Sequence, residues 1–214
     1  MMNPSVQTIS AQEITLHQLS ETFGLVRSDE AQFFPEWQDN LPELSPVERQ
    51  WLDQVKDDYL HLSQYPMLEP IVKMLVLSPL LSVAGFYRSP FYLAAEHEVR
   101  ITSQDNGTTV RGKIDILICQ PQFWITVIEA KRAEYSLKVG IPQALAYMMA
   151  HPQPEKPAFG LVMNGTEFIF IKLSQQPTPH YSFSNEFSVL NQGNELYRVA
   201  GILKKLGQIA QSLN

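Results

Sequence analysis

The sequence predicts a mixed α/β domain in which helices flank a central sheet, and three features carry that prediction. Two Asn-Gly pairs, Asn106-Gly107 and Asn164-Gly165, each separate runs rich in β-branched and aromatic residues. Both residues of such a pair tolerate positive φ, which tight hairpin turns demand. The run Phe123–Ala130 (FWITVIEA) is apolar on both faces until Glu129, as in a strand covered on both sides. Segments with apolar residues at helical spacing occupy both ends of the chain.

Taken in order, residues 1–65 are polar-rich and predict a helical extension packed on a core formed by residues 66–214. Ser10-Ala-Gln-Glu13 and Ser45-Pro46-Val47-Glu48 both fit the Ser-x-x-Glu capping box, and Pro46 suits the first helical position. From there Val47, Trp51, Val55, Tyr59 and Leu62 predict one apolar face of a helix reaching about Gln64. A further helix is expected from Glu69-Pro70 towards Pro79. Strands follow at Glu96–Ser103, Thr108–Cys119 and Phe123–Ala130, then a helix over Leu137–Ala150 and a second hairpin of Ala158–Met163 with Glu167–Leu173. Leu196, Val199, Leu203, Leu206 and Ala210 predict an amphipathic closing helix within Asn194–Leu213.

Composition narrows the function classes. With 214 residues, 44% of them hydrophobic, one sizeable core is expected. The single cysteine, Cys119, excludes an intrachain disulfide and reads as a core residue, so a reducing cytoplasm is the expected location. The opening MMNPSVQTIS has neither a basic flank nor an apolar stretch, and the run Met74–Phe86 is too short to span a bilayer and contains Pro79. No membrane association is expected. Five dispersed histidines lack the spacing of a zinc site, and no Ser-centred elbow occurs. Trp37, Trp51 and Trp124 read as packing residues. The net charge of −6 argues against nucleic-acid binding over the whole surface. Between Arg111 and Lys156 the balance differs: Arg111, Lys113, Lys131, Arg132, Lys138 and Lys156 face Asp115, Glu129, Glu134 and Glu155.

Two of those acids have a chemical use. Phosphodiester hydrolysis requires a hard cation that polarises the phosphoryl group and lowers the pKa of the attacking water. Mg²⁺ takes one or two protein carboxylates and completes its octahedron with water and phosphate. Asp115 and Glu129, on neighbouring strands, are candidate metal ligands, with the Ala130 carbonyl as an extra donor. Residues two apart on a strand share a face, so Glu129 and Lys131 are expected in one site, where Lys131 orients the water and stabilises charge on phosphate. Gln143 and Tyr147, four apart on the next helix, share a face at its rim. Gln143 is suited to hold a phosphate, a metal-bound water or Lys131, and Tyr147 to donate to phosphate or stack on a base.

Gly112-Lys113-Ile114-Asp115, Val127-Ile128-Glu129-Ala130-Lys131-Arg132 and Pro142-Gln143-Ala144-Leu145-Ala146-Tyr147 together resemble the PD-(D/E)XK nuclease superfamily. The likeness extends over about residues 69 to 173 and is similar to the N-terminal nuclease domain of type I restriction enzyme R subunits. It implies a restriction endonuclease-like core: a mixed sheet flanked by helices in the order α-β-β-β-α-β. It also implies hydrolysis of DNA with Mg²⁺, Mn²⁺ substituting, and an extra metal-binding acid on the preceding helix, for which Glu69 is the candidate and Glu96 and Glu98 the alternatives. The Pro of the motif is replaced by Ile114. A G-x-x-x-x-G-K-[ST] loop is missing, so any motor or specificity function falls to protein partners, and cutting two strands favours a dimer. The alternative expectation is a catalytically silent nuclease fold serving in nucleic-acid binding or protein assembly.

Overall fold

A computed structural model describes residues 8–103, 107–120, 123–130 and 135–212, with the backbone alone for 123–130. The elements run β1 (Thr8–Ser10), α1 (Leu16–Phe23), β2 (Val26–Arg27), α2 (Pro46–Leu62), α3 (Glu69–Val72), a π-helical turn (Lys73–Leu77) and α4 (Ser78–Ala84). They continue with β3 (Tyr92–Thr102), β4 (Thr109–Gln120), β5 (Phe123–Ala130), α5 (Ile141–Met148), β6 (Ala158–Met163), β7 (Glu167–Ser174), β8 (His180–Phe183), β9 (Phe187–Ser188) and α6 (Leu196–Ser212). Among the described residues no helix is long and apolar enough to cross a membrane.

The strands form one mixed sheet. β3, β4 and β5 are antiparallel neighbours, β5 and β6 pair in parallel across α5, and β6–β7 is the second hairpin. Alternation along β6 shows how the sheet is buried on both faces: Phe159, Leu161 and Met163 enter the layer built with α2, α3, α4 and α6, while Ala158 and Val162 enter the layer built with α1 and α5. Cys119 is buried, as its apolar surroundings imply. Of the tryptophans, Trp37 is buried, Trp51 is 45% exposed, and the Trp124 side chain lies outside the description.

Several sequence expectations need correction. The first 65 residues are not purely helical: β1 pairs in parallel with β4 and β2 with β8, so this segment extends the sheet as well as covering it. These strands are two and three residues long, too short to show a period. Ser10 caps no helix, because it lies in β1 and its carbonyl accepts from Glu13 N in a turn. The cap is Thr15, whose Oγ1 accepts from Gln18 N (3.1 Å) while Gln18 Oε1 accepts from Thr15 N (2.9 Å). The Ser45–Glu48 box forms as expected.

On α2 the buried face is Leu52, Val55 and Tyr59, whereas Val47 and Trp51 are exposed. Four-residue steps overshoot a 3.6-residue turn by about 40° each, so a long i, i+4 stripe winds off the core. The helical run from Glu69 does not end near Pro79. It widens to a π turn over Lys73–Leu77 and resumes as α4 with Pro79 in its first turn, where a missing N–H is tolerated.

The β6–β7 turn anchors this helical run. Gly165 has φ +89°, and a Cβ there would stand 2.9 Å from Val72 Cγ1 and 3.0 Å from Tyr59 Cε2. Gly165→Ala is therefore expected to lower stability by about 1–3 kcal/mol, through the positive φ and the crowding together. A urea midpoint equal to that of the parent protein would contradict this account of the turn.

Candidate functional site

From Val110 to Asp115 successive residues of β4 take opposite sides, and the alternation breaks at Ile116, which packs in the layer opposite to Ile114. Ile114 is buried in the α5 layer, and Asp115 turns instead towards α3. Glu69 opens α3, and Lys73 follows one turn later at the start of the π segment. Lys73 Nζ lies 2.6 Å from Glu69 Oε1 and 3.0 Å from Asp115 Oδ1, so one ammonium bridges carboxylates from a helix and from the central strand. The three side chains are only 20–34% exposed. Burial opposes the charge on Lys73, but the Glu69 hydrogen bond and the attraction and hydrogen bond of Asp115 outweigh it, holding its pKa above the ordinary lysine value. Lys73 has no place in the motif read from the sequence. Its only sequence signal is the i, i+4 spacing from Glu69.

Glu129 lies in β5, paired with Val162 of β6. The antiparallel pairing of β4 with β5 includes Ile116↔Ile128. That pairing runs from Ile116↔Ile128 to Gln120↔Phe123, so Asp115 and Glu129 lie on adjacent strands one residue beyond its end rung. Lys131 lies outside the described residues. On the other flank of β4, Glu96 stands across from Asp115, between the pairs Ala95↔Ile116 and His97↔Ile114. Its φ of +49° is a strained conformation for a residue with a Cβ. Glu96 is exposed, and Glu98 is an exposed partner of Lys113 at 3.8 Å. Of the three acids considered beyond Asp115 and Glu129, Glu69 is the one joined to Asp115 through a shared cation.

Gln143 and Tyr147 do meet, Gln143 Nε2 donating to Tyr147 OH at 2.8 Å. Both are buried, Gln143 at 4% and Tyr147 at 1% exposure, in the α5 layer on the side of β4 away from Lys73. This corrects the expectation of a rim on which Tyr147 stacks against a base: helical spacing shows that two residues share a face but not which layer that face meets. The helix is also shorter than Leu137–Ala150, because a 3₁₀ turn (Leu137–Val139) precedes Gly140 and α5 starts with Pro142 in its first turn. Tyr147 explains Gly112, since a Cβ there would fall 2.7 Å from its hydroxyl and 2.7 Å from Ala11 Cβ. The Gln143–Tyr147 pair thus packs behind the strand that presents Asp115.

Among the described residues no group of three or more His, Cys, Asp or Glu is placed to hold a metal. Glu69 and Asp115 supply two carboxylates convergent on one cation, a donor set of the hard, oxygen type that Mg²⁺ prefers. No protein-family model matches the chain, and no curated protein matches it in sequence.

Replacing the bridging cation tests this geometry. Lys73→Met leaves two partly buried carboxylates without their shared partner and is expected to cost about 1–2 kcal/mol, between the values for exposed and buried pairs. A lysine whose folded pKa is raised stabilises fully below its unfolded value of 10.5 and loses that contribution as pH rises through the higher folded value. Denaturant midpoints should therefore differ equally at pH 7 and pH 9 and converge above about pH 10.5. A difference that does not shrink in alkali would show that the bridge is not its source.

Proposed function

We propose that the chain is a metal-dependent nuclease of the PD-(D/E)XK type that hydrolyses phosphodiester bonds of DNA. The observation that carries this reading is the convergence of Glu69 and Asp115 on one cation, with Glu129 on the adjacent strand one residue beyond the Ile116↔Ile128 rung. Element order supports it: the α3–α4 run, the antiparallel β3–β4–β5, α5, and β6 parallel to β5 follow the α-β-β-β-α-β succession of a restriction endonuclease-like core.

In this reading Asp115, Glu69 and Glu129 hold Mg²⁺, with Mn²⁺ as a substitute. Such a cation would polarise the phosphoryl group and lower the pKa of the attacking water. Lys131 orients the attacking water and offsets charge on the phosphate. Lys73 keeps the carboxylates convergent, and its flexible stem lets the ammonium turn towards a phosphate. Gln143 and Tyr147 act from behind, fixing the strand on which Asp115 is mounted. The chain then serves as a component of restriction, repair or excision, acting on DNA with protein partners or as a dimer.

One observation favours a second reading. Lys73 already sits between the two carboxylates and offsets one of their charges, as it would in a nuclease fold that has replaced its metal by an internal ion pair and acts as a binding or assembly module.

Cleavage of plasmid and single-stranded DNA with Mg²⁺ and with Mn²⁺ separates the two. The nuclease reading expects metal-dependent cutting by the parent protein, reduced on the order of 100-fold or more in both Asp115→Ala and Lys131→Ala. No cutting with either metal, together with no metal-induced rise in Tm, would leave the silent module as the better reading.

A further inference from the structure

β3 and β4 make a long antiparallel ribbon along one side of the sheet, and its rungs are ordered by charge. Arg100 stands directly opposite Arg111, Glu98 opposite Lys113, and Glu96 across from Asp115. Alternation puts Arg111, Lys113 and Asp115 on one face of β4, whereas Val110 and Ile114 enter the α5 core and Gly112 abuts Tyr147. The same holds on β3, where Val99 and Ile101 pack against that core and Arg100 is exposed. One face of the ribbon therefore runs from a doubly cationic rung, through the Lys113–Glu98 ion pair, to the acidic rung of the candidate site.

The cationic rung is unusual because like charges directly opposed destabilise a sheet. Among the described residues neither guanidinium has a carboxylate partner, and both side chains are exposed. The backbone beneath them is held firmly. β1 pairs with β4 at Ser10↔Arg111, and Ala11 N donates to Arg111 O at 2.8 Å, so Arg111 has strand neighbours on both sides. A groove of about 650 Å³ beside the rung is lined by Glu98, Val99, Arg100, Arg111, Gly112 and Lys113.

We propose that the Arg100–Arg111 rung is a phosphate clamp for a nucleic-acid backbone. Two planar guanidinium forks on a rigid base suit bidentate contact with phosphate oxygens, and a bound anion converts their repulsion into attraction. Lys113 adds a third cation on the same face. Asp115 is four residues from Arg111, about 13 Å along the strand at roughly 3.3 Å per residue. A strand held at the rung thus extends towards the acidic pair, which repels phosphate until a cation neutralises it. The choice of nucleic acid over an acidic protein surface rests on the nuclease reading.

The test is fluorescence anisotropy with fluorescein-labelled single-stranded and duplex oligonucleotides in EDTA, so that no cleavage occurs. The parent protein is compared with Arg100→Ala/Arg111→Ala, Arg100→Lys/Arg111→Lys, Asp115→Ala, and Arg27→Ala on β2 at the far side of the sheet. The alanine pair is expected to lose roughly tenfold or more in affinity and to lower the slope of log K against log salt by about 2 for duplex, near one per phosphate contact. The lysine pair should keep the slope and recover only part of the affinity. Arg27→Ala should bind as the parent does, and Asp115→Ala at least as tightly. Relief of the like-charge rung should leave the Tm of the alanine pair equal to or above that of the parent, which separates lost binding from lost folding.

Unchanged affinity and slope in the alanine pair, an equal loss in Arg27→Ala, or no DNA binding by the parent would overturn the clamp. Capture of a polyglutamate peptide with higher affinity than DNA would assign the rung to acidic protein and overturn it too. A parent protein that binds through the rung but cuts nothing would instead remove the nuclease reading and leave the clamp in place.

Discussion

The bridge from Glu69 through Lys73 to Asp115 joins two parts of the molecule with different local causes. Glu69 and Lys73 meet because a helix brings residues four apart onto one side, while Asp115 arrives there because a strand sends alternate residues to opposite faces. Neither cause acts alone. The helix must be seated on the sheet, and it is seated by Val72, Val76 and Leu77, all fully buried among Phe86, Leu161, Met163 and Phe168. The π turn that starts at Lys73 lets the run pass Pro79 without leaving that surface.

Behind Asp115 the same alternation drives opposite requirements. Gly112 must lack a side chain so that Tyr147 can lie against β4, and Ile114 must be apolar to fill the α5 layer. The Gly-Lys-Ile-Asp stretch is therefore two interleaved sequences, one written by packing and one facing outwards with Lys113 and Asp115. The outward sequence sorts charge by position along the ribbon. That sorting is why a chain with net charge −6 still offers a cationic approach to an acidic pair.

The long elements are legible in the sequence because their causes are local. Gly165 takes φ +89° in the β6–β7 turn, Gly107 takes φ +68° beside the β3–β4 turn, and β5 spans the doubly apolar run from Phe123 to Ala130. The short strands β1, β2, β8 and β9 are not legible, since two to four residues cannot display a period and their pairing depends on backbone partners far away in the chain. At the site, Asp115 and Glu69 are readable as acids, but the cation between them is not. Lys73 belongs to the candidate site through tertiary placement alone. The spacing of Gln143 and Tyr147 shows their contact and hides their burial, because a helix wheel has no knowledge of which layer it enters.

A crystal structure grown with Mn²⁺ tests most directly whether the Glu69 and Asp115 carboxylates, now bridged by Lys73, take a metal cation. The account predicts an anomalous peak about 2.0–2.2 Å from the Asp115 and Glu69 carboxylates, with the Lys73 ammonium displaced from between them. Lys73 still bridging the two carboxylates at saturating Mn²⁺, with no peak beside Asp115, would contradict it.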